Sequence, residues 1–238
     1  MAEKKKLTKG VSPAGVASFP FLNKPDEYKG KKNFKVTLTI GGDESAEFRA
    51  KIEAETEKVL AETRAAIEEK LAGAKDGKTK AKLKSLLEEL ETGLPFSPAV
   101  DDDGEETGDF EFKFKCGAEF EDKKTGDMKQ IIVPIFNAKK VHLNPKGKNA
   151  PSIWGGSTLK VAYALAPYFV EGAKVCGVSL RIEGVQVIEL VSGGGGRSAD
   201  ALGFGEEDGY DEDAADSEDE DDSDGLPSAG GDEDDEDF

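Results

Sequence analysis

The residues of this chain whose types and spacing could do chemistry are lysines set beside aromatic rings. In Asp109–Phe120 the two alternate. Phe110, Phe112, Phe114, Cys116, Ala118 and Phe120 fall on one face, and Glu111, Lys113, Lys115, Gly117 and Glu119 on the other. A strand sends successive side chains to opposite faces, so this spacing predicts a half-buried strand with one greasy and one charged side. Two readings of Lys113 and Lys115 stay open at this point. Either they solvate the outside of a core strand, or they face a phosphate backbone from the wall of a small barrel.

The same pairing of charge and ring recurs. Lys4, Lys5, Lys6, Lys9, Lys24, Lys29, Lys31 and Lys32 interleave with Phe19, Phe21 and Tyr28 in a basic, turn-rich arm over residues 1–33. Lys123, Lys124 and Lys129 follow Phe120, and Lys139, Lys140, Lys146 and Lys148 precede Trp154. Cations suit a nucleic-acid backbone and ring faces suit unstacked bases, each stacked base being worth about 1–3 kcal/mol. Trp154 and Tyr168 are the candidate platforms, whereas Tyr163 lies on the inward phase of its strand and reads as core.

Other chemistry is poorly served. A single histidine, His142, leaves little for a Ser-His-Asp or Cys-His arrangement. No Cys-x-x-Cys or His-x-x-x-His spacing offers a zinc site, and no phosphate-cradling glycine loop opens a helix. Asp101, Asp102 and Asp103 read as a solvated loop. The chain is expected to be no enzyme and to need no cofactor. Cys116 and Cys176 sit in apolar, strand-like contexts and read as buried free thiols, in keeping with a reducing cytoplasm. The N-terminus lacks the apolar stretch of a signal peptide, and no apolar run approaches the length of a membrane span.

These residues must be positioned by strands. Phe34–Ile40 alternates cleanly, as do Phe110–Phe120, Leu159–Leu165 and Val178–Leu190, the last slipping phase at Gly184, where a bulge is expected. Asp122–Asp127 reads as a hairpin turn, with Lys129–Phe136 as the returning strand and Pro134 at an edge or bulge. Pro98–Gly108 reads as a loop, and Ala166–Phe169 as the end of its strand. Between the first and second of these strands the period changes to that of helices, over Asp43–Gly73 and Lys78–Glu91, with a break at Gly73–Gly77. Five short strands with glycine and proline bulges suggest a Greek-key barrel of the OB type, and a generic β-sandwich would share the pattern.

Charge divides the chain. Of its 50 acidic residues, 19 lie in residues 206–238, which hold no Lys or Arg, leaving 31 acidic against 32 basic residues in 1–205. The net charge of −18 thus belongs to the tail, and the body has room for local basic patches. The organisation expected is a mainly β domain over 1–192 with a helical insertion at about 43–92, a flexible glycine-rich hinge over 193–205, and a disordered acidic tail over 206–238. The tail ends Asp234-Asp235-Glu236-Asp237-Phe238. One ring capping a run of acids reads as a docking peptide, the charge steering and the ring filling a pocket.

Taken in order, these features resemble a family. Lys24-Pro25-Asp26 is followed by Lys35-Val36 and Leu38-Thr39-Ile40, then by Phe112-Lys113-Phe114-Lys115-Cys116 and Asp122-Lys123-Lys124-Thr125. Gly155-Gly156-Ser157, Leu159-Lys160-Val161 and Pro167-Tyr168 come next, and the chain ends Asp237-Phe238. The pattern resembles the single-stranded-DNA-binding proteins of short-tailed bacteriophages with a single-subunit polymerase replisome. The resemblance implies an OB fold, a homodimer in the cytoplasm of the infected bacterial host, and roles in replication, recombination and repair, including strand annealing. It implies a tail that contacts the phage DNA polymerase and helicase-primase. Carried over by motif, Lys115, Tyr168 and Lys31 would contact DNA, with Lys4–Lys6 assigned without register. Some relatives carry an aromatic just after the strand cysteine, where this chain has Gly117, so that stacking contact must be missing or supplied from elsewhere, for example by Trp154. Two rivals remain at this stage: an acidic-tailed chaperone or adaptor for basic proteins, and an OB domain that binds RNA.

Overall fold

Period-two alternation builds the wall of a barrel. The computed structural model describes residues 6–101, 103–122, 125–143 and 152–191. The chain divides into two units, Met1–Gly196 and Arg197–Phe238, and all of the described residues belong to the first. The expected hinge and acidic tail lie outside the described residues.

The strands open with β1 (Lys9–Val11), β2 (Gly15–Tyr28) and β3 (Lys31–Ile40). Two helices follow, α1 (Gly42–Gly73) and α2 (Gly77–Glu88). Next come β4 (Glu91–Gly93), β5 (Phe96–Val100), β6 (Glu106–Gly117), β7 (Glu119–Glu121), β8 (Met128–Gln130), β9 (Ile135–Phe136) and β10 (His142–Leu143). The long strands β11 (Thr158–Val170) and β12 (Val175–Glu189) finish the fold. Around the barrel the order is β2, β3, β6, β12, β11, and the pairs Thr158↔Val16 and Leu159↔Gly15 close it back onto β2. β6 and β12 run parallel, and the other wall pairs are antiparallel. That is the five-stranded Greek-key arrangement of an OB fold.

The inward phase of each strand supplies the core: Val36, Leu38 and Ile40 from β3, Phe112 and Phe114 from β6, Leu159, Val161 and Leu165 from β11, and Val178 and Leu180 from β12 are all buried. Burying each such side chain stabilises the fold by about 1.5–3 kcal/mol. α1 packs against these rings. Phe48 stacks on Phe112 at 4.7 Å between centroids and meets Tyr163 at 5.0 Å. Ile52, Val59 and Ile67 continue its buried stripe. Asp43 and Glu44 lie in its first turn and Lys70 in its last, matching the helix dipole. α2 begins at Asp76, whose side chain accepts a hydrogen bond from the Thr79 N–H at 2.9 Å, and buries Leu86.

Several expectations change. The basic arm contains the first barrel strand, β2, so the helices fall between the second and third barrel strands. Its alternation is hidden by two register shifts, between Ser18 and Phe21 and between Phe21 and Asp26, and by Pro20 and Pro25. Lys129–Phe136 is not a barrel strand. Met128–Gln130 pairs with Glu119–Glu121 as a separate two-stranded ribbon, and Ile135–Phe136 pairs with β12. Phe120 belongs to that ribbon and is 48% exposed, not core. Pro98 and its neighbours pair with β6, so the supposed loop begins with a strand. Pro167 does not end β11, which runs on to Val170 opposite Val175. The bulge at Gly184 is where the phase slip put it: Ala162 pairs with Gly184 and Tyr163 with Ile182, leaving Glu183 extra.

Candidate nucleic-acid interface

Strand register decides which outward side chains become neighbours. Phe21 of β2 stands opposite Lys35 of β3, Lys35 opposite Lys115 of β6, Lys115 opposite Arg181 of β12, and Arg181 opposite Ala164 of β11. Paired residues share a face of a sheet, so Phe21, Lys35, Lys115 and Arg181 form one row across the outer wall. Lys113 flanks that row, paired with Thr37, and Lys31 lies further along β3 in the same phase, opposite Tyr28. Lys31, Lys113 and Lys115 are all exposed.

Electrostatics sorts these cations into two sets. Lys35 Nζ lies 2.7 Å from Asp26 Oδ2 and 4.9 Å from the centroid of the Phe21 ring. Arg181 donates to Glu183 Oε1 at 2.6 and 3.1 Å, and Lys9 Nζ reaches Glu183 Oε2 at 2.7 Å. The Lys9 ammonium, with Arg181 beside it, holds the Glu183 carboxyl below the usual carboxylate range. Among the described residues, no carboxylate lies at ion-pair distance from Lys31, Lys113 or Lys115. Three bare cations and two tethered ones therefore share one wall.

Tyr168 lies on the outward phase of β11, opposite Gly177 of β12, which pairs in turn with Gly93 of β4. Its hydroxyl sits over these two glycines, and a Cβ on Gly93 would collide with it. Tyr168 thus occupies the same face of β12 as Arg181, four residues along the strand. Burial, with Cys176 nearby, pushes its phenol up. Trp154 lies elsewhere, beside β2. Its turn is stitched to that strand by the Gly156 N–H donating to Ala17 O at 2.8 Å and the Ala17 N–H donating to Ser157 O at 2.8 Å. An open groove of about 800 Å³ runs along this seam, lined by Phe19, Phe21, Lys24, Ile153 and Trp154 among others.

Register therefore brings Lys31, Lys113, Lys115 and Tyr168 onto connected outer surface and sets Trp154 beside β2. Lys6 is exposed ahead of β1. Lys4, Lys5, Lys123, Lys124 and the tail residues Asp234, Asp235, Glu236, Asp237 and Phe238 lie outside the described residues. Lys35 and Arg181 were not singled out from the sequence. Both are on outward phases, but only knowledge of which strands pair places them beside Lys115. Gly117 faces outward opposite Asn33, where a Cβ would meet the Glu119 backbone oxygen at an ordinary contact distance of 3.5 Å. Asp101 serves its own loop, its Oδ1 accepting from the backbone of Asp103 and Glu105. His142 packs edge-on against Phe136. Cys116 and Cys176 are free and buried, and burial pushes the Cys116 thiol up to about 11. No described helix is long and apolar enough to cross a membrane. Among the described residues no cluster of His, Cys, Asp and Glu is arranged to hold a metal ion.

Fold and wall together define the class: a small OB-type barrel that presents cations and rings on its outside. Residues 14–190 match the family described as single-stranded DNA-binding protein, bacteriophage T7, and the chain belongs to that family. The single-stranded DNA-binding protein of Escherichia phage T7 is 39% identical over 132 residues, covering 55% of this chain and 51% of that protein. The chain thus aligns with about half the length of that relative. Its counterpart in Enterobacteria phage T3 is 33% identical over 215 residues, covering 87% of this chain and 86% of that one. The crystal structure of gp2.5, a single-stranded DNA binding protein encoded by bacteriophage T7, superposes with a TM-score of 0.62 at 31% identity, over 86% of this chain and 98% of that chain. The family is one of binding proteins, not enzymes.

Proposed function

We propose that this chain binds single-stranded DNA without regard to base sequence and serves phage DNA replication by covering exposed strands. The row that sets Lys115 between Lys35 and Arg181, with Lys113 and Lys31 bare on the same wall, carries this reading. A phosphate backbone meeting such a row releases counterions in proportion to the charges it neutralises, whatever its bases. Tyr168 on its glycine floor would supply one stacking face beside the row. Lys4, Lys5, Lys6, Lys123 and Lys124 extend the basic set.

The acidic tail plays two parts in this proposal. As a tethered polyanion it competes with DNA for the basic wall. Through Asp234–Phe238 it recruits the phage DNA polymerase and helicase-primase. Coating strands and clearing their secondary structure would promote annealing and serve recombination and repair. The proposed working form is a homodimer in the cytoplasm of the infected bacterium.

The test is oligothymidine binding at several salt concentrations, for the full chain and for a version ending at Gly205. Both should bind, the affinity should fall with salt, and the truncated chain should bind more tightly. Failure of both to bind at low salt would sink the proposal and turn attention to basic proteins as ligands of the tail. Equal affinities would remove the competitive role of the tail alone.

A further inference from the structure

We infer that the groove between β2 and the Trp154 turn is a subsite for an unstacked nucleobase, with Phe19 and Trp154 as its rings. The inference rests on the single-stranded DNA reading above and adds a site to it.

Phe19 carries the first observation. Its φ is +50°, in the left-handed region that a bulky side chain rarely adopts, and it lies within the irregular stretch between Ser18 and Phe21. Such a conformation costs free energy of its own and persists only where the surroundings impose it. Here it leaves the ring 77% exposed instead of turning it into the barrel, where neighbouring Ala17 and Leu22 are buried. Trp154 carries the second. It is 42% exposed, on a turn that Gly156, at φ +89°, allows to fold back and bond to Ala17. Two segments distant in sequence thus each present a ring to one groove, and no ring contact joins Phe19 to Trp154.

Charge and continuity select the occupant. Phe21 also lines the groove, and it is the end of the basic row, with the Lys35 ammonium 4.9 Å from its ring centroid. Lys24 stands at the other end of the lining segment of β2. A polyanion following the row Arg181, Lys115, Lys35 arrives at Phe21 with its next base beside the groove. A flat, uncharged, stackable group attached to a phosphate chain meets each of these conditions. The site would also supply a ring contact to this chain, in which Gly117 offers none.

Trp154 is the only tryptophan, so its fluorescence reports the site directly. The full chain is titrated with oligothymidine while that emission is followed, alongside F19A, F19G, F19Y and K115A. Binding should quench the emission. F19A and F19G should each lose about tenfold in affinity with the salt slope unchanged, since stacking releases no counterions. F19Y should retain near-normal affinity, and K115A should flatten the slope while keeping the quench. Binding without any change in emission overturns the subsite, as does normal affinity in F19A. Equal losses in F19Y and F19A overturn it too, because the ring would then not be the cause. If the unaltered chain binds no DNA at all, the inference falls together with the reading beneath it.

Discussion

At Lys115 the neighbours on both sides are cations, Lys35 across one strand boundary and Arg181 across the other. Three positive charges in adjacent strands repel in the free protein, and two of the three are quieted by carboxylates, Asp26 and Glu183. Lys115 is left bare and most available to a phosphate. K115A is therefore expected to weaken binding evenly across sequences and to reduce the slope of log affinity against log salt by about 0.7, the share of one phosphate on a single strand. An unchanged slope would remove Lys115 from the contact. Glu183 works in the opposite direction, occupying Arg181 and Lys9. E183Q should tighten oligothymidine binding by a factor of up to about five, the scale of one exposed ion pair. The same carboxylate sets a pH dependence. Its folded pKa is depressed, so its contribution to stability is full above the ordinary carboxylate value and is lost as pH falls through the depressed one. The thermal midpoint should fall on acidification, and should fall less in E183Q. Parallel curves would show that the pair does not stabilise the fold.

Among the elements, α1 depends on one ring. Phe48 is buried and lies against Phe112, Phe114 and Tyr163, three inward rings from two strands. F48A should cost about 3–5 kcal/mol in denaturant unfolding, because the hole cannot be filled by a helix held at both ends. A cost under about 1 kcal/mol would mean that the helix closes down on the barrel. The elements also show how far the sequence could be read. β3, β6 and β11 alternate, and β12 does so up to its bulge at Gly184, for long enough to declare themselves, and both helices announce their period and their breaks. β2 does not, since two prolines and two register shifts within fourteen residues erase its alternation. Phe120 misled for a related reason: its position continues the phase of β6, but the chain leaves the barrel at Gly117 and pairs elsewhere. The wall was legible in part. Lys113 and Lys115 share one strand, so their common face follows from alternation alone. Arg181 and Phe19 could not be placed, because register between strands and a left-handed backbone are products of tertiary structure.

For the molecule as a whole, separating its charges matters more than their sum. The body is near neutral and carries Lys31, Lys113 and Lys115 on one wall, while the tail holds the excess of acid. A measured pI would conceal both facts. Within the body, β12 holds the assembly together. One of its edges pairs throughout with β11, and the other takes β4, β6 and β9 in turn. Its amides are bonded on both sides and set over the core, so hydrogen exchange should be slowest there, near the rate of global unfolding. Faster exchange in β12 than in β3 would contradict this.

That central strand is also the last of the described strands to be synthesised. While a ribosome is still making residues 1–174, β6 and β11 have each lost a neighbour, the inward rings of β6 and α1 lack their floor, and the cationic row is missing Arg181. Any barrel begun before β12 is made would leave those strand edges open to pairing with other chains. The barrel, and with it the row, cannot be complete until β12 has been made and paired between β6 and β11.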